Sequence, residues 1–188
     1  MVAATSRPAF SLHPAAPSPQ PAIDKALPEL GITTPALTKP HGDLMTFFNQ
    51  TYKVEHSNDT SRLLHVIGTG LVILVLLWKP AAAVSMVSAL GLGMAAFPYL
   101  RYQPNGLVEF AVVGVTFVLL TWRSTKSLML PIAIMVCGYG FAWVGHFVFE
   151  KNQPATFIYP SFSLASDFIM FGQTVSGRWP IDFASVMA

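Results

Sequence analysis

The sequence predicts an all-α fold, a polytopic membrane protein of about four transmembrane helices with further helices at the interface. Three observations lead there. Of 188 residues, 53% are hydrophobic and only 11% are charged, against roughly a quarter charged in a soluble domain. The mean hydropathy is +0.52. After residue 60, long apolar runs alternate with short polar breaks, at about 63–78, 82–100, 106–122 and 128–149. Each run is close to the roughly 20 residues that cross a hydrocarbon core. The formal net charge of +2 is too small for a nucleic-acid-binding surface. Cys137, the only cysteine, leaves no internal disulfide to be made.

Residues 1–42 read as a Pro/Ala-rich extended arm and 43–188 as the helical membrane domain. Pro8, Pro14, Pro17, Pro19, Pro21, Pro28, Pro35 and Pro40 exclude a long helix from the arm. Its scattered apolar residues build no core, which suits contact with other protein subunits. Leu44, Phe47, Phe48 and Tyr52 follow at helical spacing behind Asp43, a plausible N-cap, and predict a short amphipathic helix at the membrane surface. His56 to Arg62 is a polar turn, with a helix start expected at Asp59 or Ser61.

Of the breaks between spans, Lys79-Pro80 and Arg123 to Lys126 lie on one side of the membrane and Arg101 to Asn105 on the other, the near side. Trp78, Tyr99, Tyr102 and Trp122 mark the span ends, where aromatic belts belong. Four crossings return the chain to the side it started from, so both ends of the membrane domain belong to the near side. Near-side Lys53, Arg62, Arg101 and Lys151 barely outnumber far-side Lys79, Arg123 and Lys126, a slight preference for a cytosolic or matrix near side. After Asn152-Gln153-Pro154 ends the fourth helix, the aromatic-rich segment 157–171 is expected to lie in the interface, with Asp167 a surface charge.

The parity of crossings has a chemical consequence. His65 enters the first span and His146 leaves the fourth, so both share the near face with His56. Glu150 follows His146 by one helical turn, on the stripe Gly138, Ala142, His146, Glu150. Gly68 on the first helix offers the gap for a close approach of the fourth. Three imidazoles and a carboxylate at one depth are a ligand set for non-haem iron or zinc. The alternative is that each polar side chain bonds across a helix pair, at about 0.6 kcal/mol per contact. Haem held by His65 and His146 is the weaker reading, because it leaves His56 without a role.

The runs Tyr52 to Thr69, YKVEHSNDTSRLLHVIGT, and Gly138 to Phe171, GYGFAWVGHFVFEKNQPATFIYPSFSLASDFIMF, resemble the two signature blocks of the 2-hydroxy-fatty-acid dioxygenase-like family of small membrane proteins. The first block matches at Glu55, His56, Asn58, Arg62, His65, Gly68 and Thr69, with Leu63 where many members carry a second arginine. Short bacterial members resemble this chain with the second and third spans absent. The characterised fungal branch is an iron(II)-dependent enzyme of the endoplasmic reticulum that acts in phytosphingosine breakdown. The resemblance implies Fe(II) bound by His56, His65 and His146, and a 2-hydroxy fatty acid shortened by one carbon. Arg62 and Glu150 are the candidate catalytic residues, Arg62 to pair with the substrate carboxylate. The alternative is an accessory structural subunit of a large organellar complex, of respiratory or ATP-synthase type, that keeps the fold without activity. The two readings place the chain, among membrane lipids, in the endoplasmic reticulum or the mitochondrial inner membrane.

Overall fold

A computed structural model describes residues 39–187, and these contain helices and turns without a strand. The arm as far as residue 38, and with it the expected contact to other subunits, lies outside the described residues. The last residues of the expected arm pack on the chain's own membrane domain. Lys39 is fully buried, its Nζ 3.2 Å from Glu109 Oε2.

Helix α1 runs Leu44–Phe47, loosens into a π-helical turn over Phe48–Tyr52 and closes with Lys53–Glu55. Asp43 caps it by accepting from the Thr46 amide at 2.8 Å. Its stripe was expected on the membrane surface, but Phe47, Phe48 and Tyr52 are buried within the protein. They join Phe97, Tyr159, Phe162 and Met170 in an aromatic cluster, with the Phe47 and Tyr159 ring centroids 4.9 Å apart. An apolar stripe specifies that it must be covered; lipid and protein satisfy it equally.

The four spans are α2 (Asp59–Trp78), α3 (Pro80–Leu100), α4 (Leu107–Thr125) and α5 (Met129–Val144), the last extended by a π-helical turn over Gly145–Glu150. Each, α5 with its extension, is long and apolar enough to cross a membrane. Asn58 caps α2, accepting from the Thr60 and Ser61 amides at 2.9 and 3.1 Å. Pro80 opens α3, where its missing N–H costs nothing. Leu74, Leu77, Val84, Val87, Val115 and Val136 stay exposed, an outer surface suited to lipid.

The spans pack as two tight pairs, α2 with α5 and α3 with α4, which meet along looser seams. The α2–α5 pairing follows the expectation from Gly68. A Cβ there would come 2.8 Å from the Cys137 carbonyl oxygen and 3.0 Å from Phe141 Cβ. Gly145 makes the second close approach, since a Cβ would come 2.8 Å from Ser61 Oγ. Glycine at both positions lets the backbones approach closely.

Helix α6 (Pro160–Val175) corrects the expectation for 157–171. Most of this segment lies between α1 on one side and α2, α3 and α4 on the other, burying Phe162, Met170, Ser161, Ser163 and Ser166. The small serines admit the close packing. Glu109 anchors its start, with Oε1 accepting from the Ser161 amide at 3.0 Å while Oε2 holds Lys39. A last short helix, α7 (Phe183–Val186), returns to the start of α2, where Ser185 Oγ donates to Asp59 Oδ2 at 2.7 Å. Both ends of the membrane domain therefore attach to the near face, as parity requires.

Two substitutions test this packing by thermal unfolding in detergent. Gly68→Leu is expected to cost about 1–3 kcal/mol by overpacking the α2–α5 crossing. Lys39→Ala strands the buried Glu109 carboxylate and is expected to cost about 3–5 kcal/mol. An unchanged midpoint for either variant rejects the corresponding contact.

Candidate metal centre

Three elements deliver the three histidines. His65 lies two turns into α2, His146 is in the π-helical turn at the end of α5, and His56 is in the connection between α1 and α2. All three are buried. The rings meet edge to face, with centroids 4.5 Å apart for His56 and His65, 4.6 Å for His56 and His146 and 5.1 Å for His65 and His146. One nitrogen from each lies within 4.8 Å of the others. The convergence expected from parity is present.

Hydrogen bonds decide which nitrogens face inward. His56 Nδ1 donates to the Tyr52 carbonyl at 2.6 Å, and His65 Nδ1 to Asp167 Oδ1 at 3.0 Å. His146 Nδ1 donates to Asn152 Oδ1 at 2.7 Å; the amide is oriented by its own Nδ2, which donates to the Glu55 carbonyl at 3.0 Å. A backbone carbonyl and a carboxylate can only accept, so each Nδ1 carries the proton and each Nε2 keeps its lone pair. His56 Nε2 and His65 Nε2 are buried and have no hydrogen-bond partner among the described residues. Burial, reinforced by the neighbouring His65 and His146, pushes the His56 imidazole well below its ordinary pKa and keeps the ring neutral. Three imidazoles, each oriented through Nδ1 by a carboxylate, amide or carbonyl, are the arrangement in which protein histidines bind a metal. The residues fit one.

Two further residues complete the surroundings. Tyr52 stacks on His56, centroids 3.9 Å apart, and its hydroxyl donates to Asp167 Oδ1. Burial, with the Asp167 charge second, holds the Tyr52 hydroxyl well above the ordinary tyrosine range, so it remains a donor. Asp167, read from sequence as a surface charge, instead faces inward from α6 and orients both Tyr52 and His65. The available signal was a single ionisable residue in a helix otherwise free of charge.

The expected catalytic pair is placed differently. Glu150 is not among the grouped ligand atoms; its Oε1 accepts from the Asn58 amide at 2.8 Å and its Oε2 from Ser57 Oγ at 3.2 Å. It secures the connection that carries His56. Arg62 pairs with Asp59, and its guanidinium lies 5.0 Å over the Trp179 ring. Its Nε is buried without a hydrogen-bond partner among the described residues.

A four-span bundle with a three-imidazole pocket at one interface defines a class, that of small membrane proteins with a candidate metal centre. Residues 43–179 match the family described as Mpo1-like, 2-hydroxy-palmitic acid dioxygenase Mpo1-like, and the chain belongs to that family. It is 28% identical to the 2-hydroxy-palmitic acid dioxygenase MPO1 of Saccharomyces cerevisiae, over 64% of this chain and 74% of the yeast protein. No solved structure matches it.

Asp167→Asn keeps the size of the side chain but removes the charge that orients His65. It is expected to weaken metal affinity roughly 10- to 100-fold, read by metal titration of the solubilised protein. Unchanged affinity excludes Asp167 from the orienting role.

Proposed function

We propose that the chain is a membrane dioxygenase that uses iron(II), held by His56, His65 and His146, to shorten 2-hydroxy fatty acids by one carbon. The observation that carries this reading is the set of three outward-tied Nδ1 atoms, which leaves three Nε2 lone pairs facing one another in a buried space. Without a cation such an arrangement is unfavourable, because unpartnered buried nitrogens lose their hydrogen bonds to water. Membership in the Mpo1-like family supports the substrate class and the reaction.

Bound at this point, iron would supply the activation of dioxygen. The chain's own residues account for the rest of the arrangement. Asn152, Asp167 and the Tyr52 carbonyl fix the imidazole orientations, and Tyr52 shields His56 by stacking on it. Glu150 secures Ser57 and Asn58, so that His56 is held from its C-terminal side. With only three protein ligands, a bound iron would have room for dioxygen and for the substrate's hydroxyl or carboxylate. The location at a membrane interface suits an amphiphilic substrate, with its polar end at the histidines and its tail among the helices. Arg62 lies one turn before His65, and its unpartnered Nε is the cationic donor available to a substrate carboxylate.

The test uses the full chain purified anaerobically with Fe(II). Stoichiometric iron and oxygen consumption with 2-hydroxyhexadecanoic acid are expected, together with an acid one carbon shorter. His146→Ala is expected to lose both iron and turnover while the helical signal in circular dichroism is retained. Chelation should lower the unfolding temperature of the unsubstituted chain and Fe(II) should restore it, by about 2.7 kcal/mol when free metal stands at a hundred times its dissociation constant. A folded protein that takes up no iron overturns the reading.

A further inference from the structure

The looser packing between α4 and α5 leaves a groove inside the bundle. Val113, Gly114 and Phe117 of α4, Gly138 and Tyr139 of α5, and Asp167 of α6 help to line it. The same seam is indented from outside, and Phe110, Gly114 and Met135 line both the interior groove and the outer depression. The outer depression is on the flank of two membrane spans, so only lipid reaches it. At the other end, Asp167 lines the groove and also holds His65 Nδ1. From the histidines the groove runs deeper into the membrane. Val72 lies seven residues beyond His65 and Gly138 eight before His146, about 10 and 12 Å along their helices at 1.5 Å per residue.

We infer that the α4–α5 seam is the lateral entrance and tail-binding groove for the acyl chain of a 2-hydroxy fatty acid, kept open by Gly114. This rests on the proposed dioxygenase reading for the identity of the head group. The lining is apolar except at the Asp167 end, which matches an amphiphile whose single polar end belongs at the histidines. The groove takes in about 610 Å³ of empty space counting its open side, against a cavity volume of about 50 Å³, so a chain lying there is held along an open seam and not in a closed pocket. At Gly114 a Cβ would meet nothing within 4 Å, so a side chain there projects into free space within the seam and obstructs it without displacing a helix. Ring contact between Phe110 and Tyr139, centroids 5.6 Å apart, bridges α4 and α5 near the start of the seam.

The experiment places the full chain in phosphatidylcholine nanodiscs with 2-hydroxyhexadecanoic acid carrying a diazirine near its methyl end, and maps the photolabel by mass spectrometry. Labelling is expected at Phe117, Met135 or Leu164, displaced by excess unlabelled 2-hydroxyhexadecanoic acid despite the abundant bilayer lipid. Gly114→Leu should reduce it roughly tenfold or more, with iron content and unfolding temperature unchanged. Gly91→Leu, at an exposed site on α3 where a Cβ also meets nothing, should leave labelling intact. Label spread evenly over the lipid-facing spans, or undiminished in Gly114→Leu, overturns the groove even if iron and turnover are present. Groove labelling with the expected response to Gly114→Leu, in a chain that takes up no iron, upholds the groove and removes the dioxygenase reading instead.

Discussion

Between α2 and α5 there is no room for a methyl group at two points, Gly68 against Cys137 and Gly145 against Ser61. That contact is the constraint on which the centre depends. His65 and His146 are eighty-one residues apart, and they meet because their helices are held at backbone distance on either side of them. Gly68 lies one turn beyond His65, and Gly145 immediately precedes His146. Wider spacing by a single side chain would separate the rings beyond the reach of one ion. The pair α3–α4 is not needed for this meeting. The resemblance to shorter bacterial proteins without those two spans is consistent with that, because none of the three histidines is on α3 or α4. What α3 and α4 add is a wall of the apolar groove, a hold on α6 through Glu109 and a burial site for Lys39.

A polar centre in an apolar bundle raises the question of how each polar group is satisfied. Ionisable side chains in lipid are costly unless they find partners inside the protein. Here the partners come from both ends of the domain: the Tyr52 carbonyl from α1, Asp167 from α6 and Asn152 from the turn after α5. The aromatic cluster of Phe47, Phe48, Phe162 and Met170 fastens α1 to α6. Helices α1 and α6, which do not span the membrane, thus serve chiefly to hold the histidines. This is also why His56 Nε2 and His65 Nε2 are left without partners among the described residues, since the orienting bonds are all made from outside the ring of three.

The four spans, the near-side convergence and the Gly68 contact were legible because each follows from hydropathy, parity or residue size. The bonds of Asp167 were not. They cross 115 residues to Tyr52 and 102 to His65, and no local pattern encodes a contact of that range. The direction of the α1 stripe was illegible for a different reason, because covering by protein and by lipid demands the same residues. The four-residue spacing put Glu150 beside His146 as a candidate catalytic residue. Its actual partners, Ser57 and Asn58, could be identified only once the His56 connection was positioned in space. Lys39 was read as part of the arm because its partner, Glu109, is seventy residues away.

Helix α1, which leads into the His56 connection, and α5, whose Glu150 secures it, each contain a π-helical turn, over Phe48–Tyr52 and Gly145–Glu150. Such a turn holds one residue more than regular α-helix and behaves as a single-residue insertion that the helix absorbs. In an α-helix each residue advances the azimuth by about 100°. Deleting one residue between 147 and 150 would return this turn to regular helix and re-aim the groups within and just after it, Glu150 and Asn152 among them, while the Gly68 crossing stayed in register. The membrane bundle and the chemistry at its rim are therefore separable under insertion and deletion. A lineage could lose the centre by one codon and keep the fold.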